Sequence, residues 1–403
     1  MIAPAARHRS ADRRAILILI LTAQTVANIG PLGLPAIASL IRDDLGLTLA
    51  QAGSFLSAYY IGPILMSMPA GTMADQWGIA RMLVLGQVVI ALGLAAVSGS
   101  PSYAVLIVLL AVAGVGYGML NPTSTKAVMA WSPPAQRATM VGLKQVGLPF
   151  GGALGAALLP ALALAVGWRW AVASSAGLIA AGAAATILVY RDPPDLPAPA
   201  HGAGRALRLV LGTRDLWLVA LATLVFAGMQ TVWMAFLVLY LTDVVGVSLL
   251  AAGRYLALAQ VAGMIGRIVF GMLSDRTLGG RRRAPLILAG VGSTACSLAI
   301  AGTGPGTSAL ALASLALIFG FAGIGWNGVQ HTLMAELAGP GSAGTAVGLG
   351  LAVSSLGVTL APPIFGWCVE RVGGYREPWV GLALAMVGAL GLLALVRERP
   401  RFG

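Results

Sequence analysis

The sequence predicts an all-α membrane protein whose twelve transmembrane helices form two pseudo-symmetric six-helix bundles. Three observations carry this prediction. The chain is 58% hydrophobic and only 9% charged, with a mean hydropathy of +0.89, whereas soluble domains hold about 25% charged residues. Its uncharged stretches are long enough to cross a bilayer, which takes about 20 apolar residues. A short charged signature also occurs twice, 200 residues apart. The first copy has Gly71, Asp75, Gly78 and Arg81, and the second has Gly271, Asp275 and Arg276, followed by Arg281, Arg282 and Arg283. Each copy follows one apolar segment and precedes another, as a duplicated membrane domain would arrange it.

The spans fall near 15–40, 50–74, 80–98, 103–130, 137–163 and 169–190 in the first half. The second half places them near 216–242, 250–274, 285–303, 308–335, 342–366 and 378–396. The two longest uncharged stretches each break at a Gly/Ser/Pro cluster, at 98–102 and 302–308, so each is two helices. The stretch 191–215 is polar and rich in proline and glycine, and reads as the linker between a bundle at 1–190 and a second at 216–403. The segment 15–41 is too long for a signal-peptide core, so no cleavable leader is expected. Cys296 and Cys368 lie in apolar segments with neither disulfide nor metal spacing, and no metal or cofactor is expected.

The net charge of +12 invites a nucleic-acid reading, but its distribution is that of a topology signal. With Met1 cytoplasmic and twelve alternating spans, seventeen cationic side chains fall on the cytoplasmic side and five on the other. This obeys the positive-inside rule and puts both termini in the cytoplasm. A second echo supports the duplication. Thr139, Val141, Gly142 and Leu143 in the fifth span match Thr345, Val347, Gly348 and Leu349 in the eleventh, 206 residues on.

The repeated Gly-x-x-x-Asp loop after spans two and eight, with cations following, resembles the cytoplasmic-loop motif of the major facilitator superfamily. The span count, the central linker and the inside termini match as well, so the resemblance covers essentially the whole chain. The first copy departs in having Gln76 where the family usually has a cation. The resemblance implies that Gly71, Asp75, Gly78, Arg81, Gly271, Asp275 and Arg276 form a conformational switch. In it the aspartate contacts a neighbouring helix terminus, where the macrodipole favours a carboxylate.

Three cations remain inside spans: Lys126, Lys144 and Arg267. Lys126 sits near the end of span four and can snorkel. Lys144 lies seven residues past Arg137, about 10 Å deep, and Arg267 lies eight residues before Asp275, about 12 Å deep. A mid-membrane cation costs about 2.5–3.5 kcal/mol, so it faces a polar cavity or a partner. Every acidic residue lies in a loop or at a span end, so the substrate is expected to bring the negative charge. Two alternatives stay open: Lys144 snorkelling to the headgroups, and Arg267 as a gate residue that never meets substrate. The superfamily resemblance implies that spans five and eight adjoin. The surroundings of Arg267 are also similar to span eight of the monocarboxylate and oxalate-type carriers, where an arginine engages a carboxylate. Unlike those carriers, this chain has no lysine in span one or span eleven.

Gln260, seven residues before Arg267, lies on its face. Further polar candidates for the substrate site are Asn28, Tyr60, Asn121, Gln230, Trp326 and Asn327, with Tyr59, Tyr117, Trp233 and Gln330 beside them. His331 and Glu336 near the end of span ten, and Lys144, are candidates for proton coupling. The glycines Gly147, Gly151 and Gly155 recur every four residues and suit close helix packing.

The expected function is secondary transport of a small organic anion, a carboxylate above all, by alternating access with proton symport or anion exchange. Proton-coupled drug or metabolite efflux is the alternative. It is weakened by a displaced proline in the Gly-Pro-x-x-Gly-Gly signature of such pumps, here Pro149 before Gly151 and Gly152. A sensor would need a soluble relay domain, and an enzyme a nucleophile–base set. The expected setting is a functional monomer in the lipid bilayer of a bacterial inner membrane, with a small-molecule substrate and no nucleic acid.

Overall fold

The computed structural model describes residues 4–131, 137–192, 203–278, 280–339 and 342–398, and among them it has helices joined by short turns and no strand. Among the described residues eleven helices are long and apolar enough to cross a membrane, and a shorter apolar stretch, Phe55–Met66, supplies the remaining span. The chain folds into two compact units. One comprises Met1–Leu34 and Ala58–Pro199, and the other Pro35–Ser57 and Ala200–Gly403.

The first unit contains α1 (Pro4–Gly33), most of α4 (Phe55–Trp77), α5 (Ile79–Ser98), α6 (Tyr103–Trp131), α7 (Arg137–Val166) and α8 (Trp168–Val189). Its main seam joins α1 to α7. The glycine stripe faces that seam. A Cβ built on Gly147 would lie 3.1 Å from Thr25 Oγ1, and one on Gly155 would lie 2.9 Å from Gly33 Cα. With little hydrophobic drive between helices in lipid, such close backbone approach is what holds a pair together.

In the second unit, α2 (Ala38–Leu45) and α3 (Leu49–Gly53) join α9 (Ala203–Gly212), α10 (Arg214–Tyr240), α11 (Leu249–Met272), α12 (Arg283–Ile300), α13 (Ala309–Phe319), α14 (Asn327–Ala338), α15 (Ala343–Val372) and α16 (Arg376–Ala394). Segment 35–57 is tied to this unit through several contacts. Arg42 pairs with Asp243 at 2.5 Å, the Ala50 N–H donates to Glu370 at 2.8 Å, and Ser57 Oγ donates to the Val358 carbonyl at 3.4 Å. The core is aromatic. Trp233 stacks on Phe319 with ring centroids 4.0 Å apart and donates its indole N–H to Ser297, and it meets Trp379, on which Phe365 and Tyr240 pack in turn. Trp233, expected beside a polar cavity, is therefore a core residue, 1% exposed.

The expected linker is not wholly irregular. Residues 203–212 of it form α9, and 193–202 lie outside the described residues. The duplication extends to the helix ends. Gly46 and Gly246 both turn left-handed, at φ 61° and 77°, and two residues on Thr48 and Ser248 cap the next helix through their hydroxyls. Three π-turns, Leu241–Val245, Leu273–Thr277 and Gly320–Ile324, occur in the second unit.

Candidate functional site

In the first unit the close α1–α7 seam brings polar side chains of α1 beside those of α6 and α7. Lys144 on α7 is 2% exposed, so it does not reach for the headgroups. Its Nζ donates to the Asn121 carbonyl at 2.9 Å, to Asn121 Oδ1 at 2.5 Å and to Thr125 Oγ1 at 3.1 Å. All three acceptors are neutral. They satisfy the donors of the ammonium without cancelling its charge, a costly arrangement in a low-dielectric interior.

Beside this cluster Gln24 on α1 acts as a hub. Its amide donates to Tyr117 at 3.5 Å and accepts from Ser124 at 3.4 Å, and its backbone carbonyl accepts from Asn28 at 2.7 Å. Tyr59, Tyr60 and Tyr117 form a packed trio with centroids 5.5–6.4 Å apart, Tyr60 standing edge-on to the other two. Asn28 Oδ1 and the Tyr59 hydroxyl are buried without a hydrogen-bond partner among the described residues. Sequence reasoning missed Gln24 and Thr125. Gln24 carried a signal, as an amide one helical turn before Asn28 in an uncharged span.

In the second unit the π-turn Gly320–Ile324 interrupts the tenth span between α13 and α14. A π-turn shifts the hydrogen-bond register and releases backbone carbonyls, and such breaks recur at functional sites. Here the Ile324 carbonyl accepts from Arg267 Nε at 3.4 Å and from Asn327 Nδ2 at 3.1 Å. Glycines permit that approach: a Cβ on Gly325 would lie 2.9 Å from Gly266 Cα. Gln230 Oε1 accepts from the Trp326 indole at 3.0 Å and from Asn327 at 3.2 Å, fixing both donors. Gln260 Nε2, Gln330 Nε2 and His331 Nδ1 are buried without a hydrogen-bond partner among the described residues. Unused buried polar atoms of this kind are expensive unless a ligand or water completes them. Arg267 and His331 lie within electrostatic reach of each other.

At the helix ends, Asp275 sits in the π-turn that closes α11 and pairs with Arg282, the residue that opens α12. Arg282 also donates to Ser274 at 2.8 Å and pairs with Glu336 at 3.3 Å. Burial works against its charge, but the hydrogen bonds and Coulomb attraction of Asp275 and Glu336 outweigh this and hold the guanidinium above its ordinary value. Glu336, a proton-coupling candidate, is thus ion-paired. Arg276 is exposed, and the cation bound to Asp275 is Arg282. In the first copy the surroundings of Gly71 and the Asp75 side chain lie outside what is described, Gly78 enters α5 at φ 90°, and Arg81 is exposed.

Two acids that the sequence reading passed over hold the N-termini of α5 and α12. Asp192, just past α8, accepts from the Ala80 N–H at 2.9 Å. Glu398, 206 residues later and just past α16, accepts from the backbone N–H groups of Arg282 and Arg283. Both follow an arginine and stand two residues before a proline, so the Arg-acid-x-Pro repeat was a readable signal. Each is a carboxylate at the positive end of a helix dipole.

The chain matches the family model described as Major Facilitator Superfamily over residues 16–362. It is 27% identical to the probable sulfoacetate transporter SauU of Cupriavidus necator, over 96% of this chain and 94% of that one. It is 25% identical to the D-galactonate transporter of Escherichia coli, over 96% of each. Among solved structures, a bacterial homologue of the lysosomal transporter Spinster, inward-facing and unoccupied, superposes with a TM-score of 0.79. It is 19% identical, over 96% of this chain and 97% of that one. The nucleoside transporter NupG gives 0.80 at 13% identity, over 95% and 100%. Family and relatives are transporters rather than enzymes, and this multi-pass membrane protein belongs to the Major Facilitator Superfamily.

Proposed function

We propose that this chain carries a small organic anion, a carboxylate above all, across a bacterial inner membrane by alternating access, coupled to proton symport or to exchange for a second anion. The observation that carries the reading is Lys144, an ammonium buried in a span and held by three neutral oxygens. Such a site has positive charge left to offer an anion. Arg267 supplies a second cation from its own bundle, aimed by the Ile324 carbonyl. Relatives named for sulfoacetate and galactonate, both organic acids, favour the same class.

In this proposal Asn28, Tyr60 and Asn121 line the first unit's share of the site. Gln230, Gln260, Trp326 and Asn327 line that of the second. Lys144 and His331 are the protonatable groups, and Glu336 acts through Arg282. The loop residues Gly71, Asp75, Gly78, Arg81, Gly271, Asp275 and Arg276 set the conformational equilibrium. The protein works as a monomer with both termini in the cytoplasm.

Thermal shift of purified protein against sulfoacetate, galactonate and simple carboxylates tests the reading, repeated for Lys144→Ala and Arg267→Ala. Carboxylates are expected to stabilise the wild type, and both variants to lose that response. Stabilisation by neutral or cationic compounds alone would overturn the anion class. Stabilisation by carboxylates that survives both substitutions would overturn the site.

A further inference from the structure

Where α5 begins and α8 ends, the first unit has an open groove of about 550 Å³ on its outer surface. Its rim carries Arg81 and Arg191 with Trp77 and Tyr190, and its floor runs along Val88 and Ile187. Both arginines are exposed, and among the described residues neither makes a hydrogen bond or ion pair. The carboxylate of Asp192, next to Arg191 in the chain, accepts from the Ala80 N–H and lies against Gly78. Val88 stands seven residues beyond Arg81, about 10 Å deeper along the helix. Ile187 is 60% exposed and Trp77 is 49% exposed, so an apolar trough leads from a cationic, aromatic rim toward the bilayer centre.

We propose that this groove binds an anionic phospholipid, its phosphate between Arg81 and Arg191 and one acyl chain along Val88 and Ile187. Two guanidinium forks suit a phosphate diester, and basic pockets between helices at the membrane surface hold anionic headgroups. The start of α12 in the second unit is wired differently. There Arg282 is engaged by Asp275 and Glu336, and Arg283 donates to the carbonyls of Ala394 and Val396 at 3.1 and 2.8 Å. The inference is independent of which solute is carried.

Native mass spectrometry of the full-length protein in detergent, titrated with phosphatidylglycerol or phosphatidylcholine, tests it. The first phosphatidylglycerol adduct is expected to form well before any phosphatidylcholine adduct. Arg81→Gln or Arg191→Gln should weaken it about fivefold, and the pair about thirtyfold, with Arg254→Gln as an unaffected control. Arg191 lies beyond the end of α8, so Arg191→Gln alone keeps the test intact if Arg81→Gln fails to fold. Equal binding of the two lipids, or phosphatidylglycerol binding indifferent to both arginines, would overturn the proposal. Displacement of the lipid by excess inorganic phosphate alone would show a phosphate site without an acyl groove, and would overturn it as well.

Discussion

Lys144 and Arg267 are both cations inside apolar spans, but the two units hold them by different means. Lys144 is gripped by three oxygens of α6, the backbone carbonyl and side-chain amide of Asn121 and the hydroxyl of Thr125. Arg267 is set by the backbone, through a carbonyl released where the tenth span turns π-helical. The first arrangement fixes an ammonium at full burial. The second leaves a half-buried guanidinium beside amides whose donors are unused. The difference teaches that a duplicated scaffold can hold a buried cation in each half without duplicating the residues that carry it. The counterparts of Lys144 and Arg267 by the internal repeat, Gly350 and Ser67, are uncharged.

The comparison can be broken experimentally, most severely at the charges. Lys144→Gln and Arg267→Gln should each weaken the carboxylate response about 10–100-fold, as expected for loss of a desolvated positive charge near the anion. If Lys144→Gln lowers the melting temperature but leaves the response unchanged, the first cation is structural and the symmetry of roles fails. Next in size are the supports. Asn121→Ala removes one of two side-chain acceptors of a buried ammonium and should cost about 2 kcal/mol in chemical denaturation. Gly325→Ala wedges a methyl against Gly266 and should cost about 1–3 kcal/mol while displacing the Ile324 carbonyl that aims Arg267.

Smaller effects belong to the helix ends. Asp192→Asn and Glu398→Gln should each cost about 1 kcal/mol, measurable as a lowered melting temperature, because each weakens a carboxylate cap at a helix N-terminus. Asp243→Asn removes the partly exposed pair with Arg42 and should change stability by no more than about 1 kcal/mol.

The fold was legible because lipid imposes a blunt rule: a span must be long and apolar, and a charge inside it stands out. That rule located the spans and singled out Lys144 and Arg267. It could not reveal their partners, since the Asn121–Lys144 contact depends on how α6 meets α7. Nor could it separate Trp233, stacked in the core, from Trp326, which is fixed by Gln230. The π-turn at 320–324 lies in a glycine-rich run that sequence periodicity reads as plain helix. Segment 35–57 belongs to spans one and two by sequence, yet its contacts through Asp243, Val358 and Glu370 tie it to the second unit. Long-range pairs of that kind leave no mark in local composition.

Counterflow in proteoliposomes tests the central claim, that buried positive charge selects the cargo. A labelled carboxylate that stabilises the protein would be competed with unlabelled carboxylates and with their carboxamide isosteres, in the wild type and in Arg267→Gln. The expected result is competition by the carboxylates, none by the carboxamides, and loss of counterflow in the variant. Equal competition by the carboxamides, or undiminished counterflow in Arg267→Gln, would contradict it.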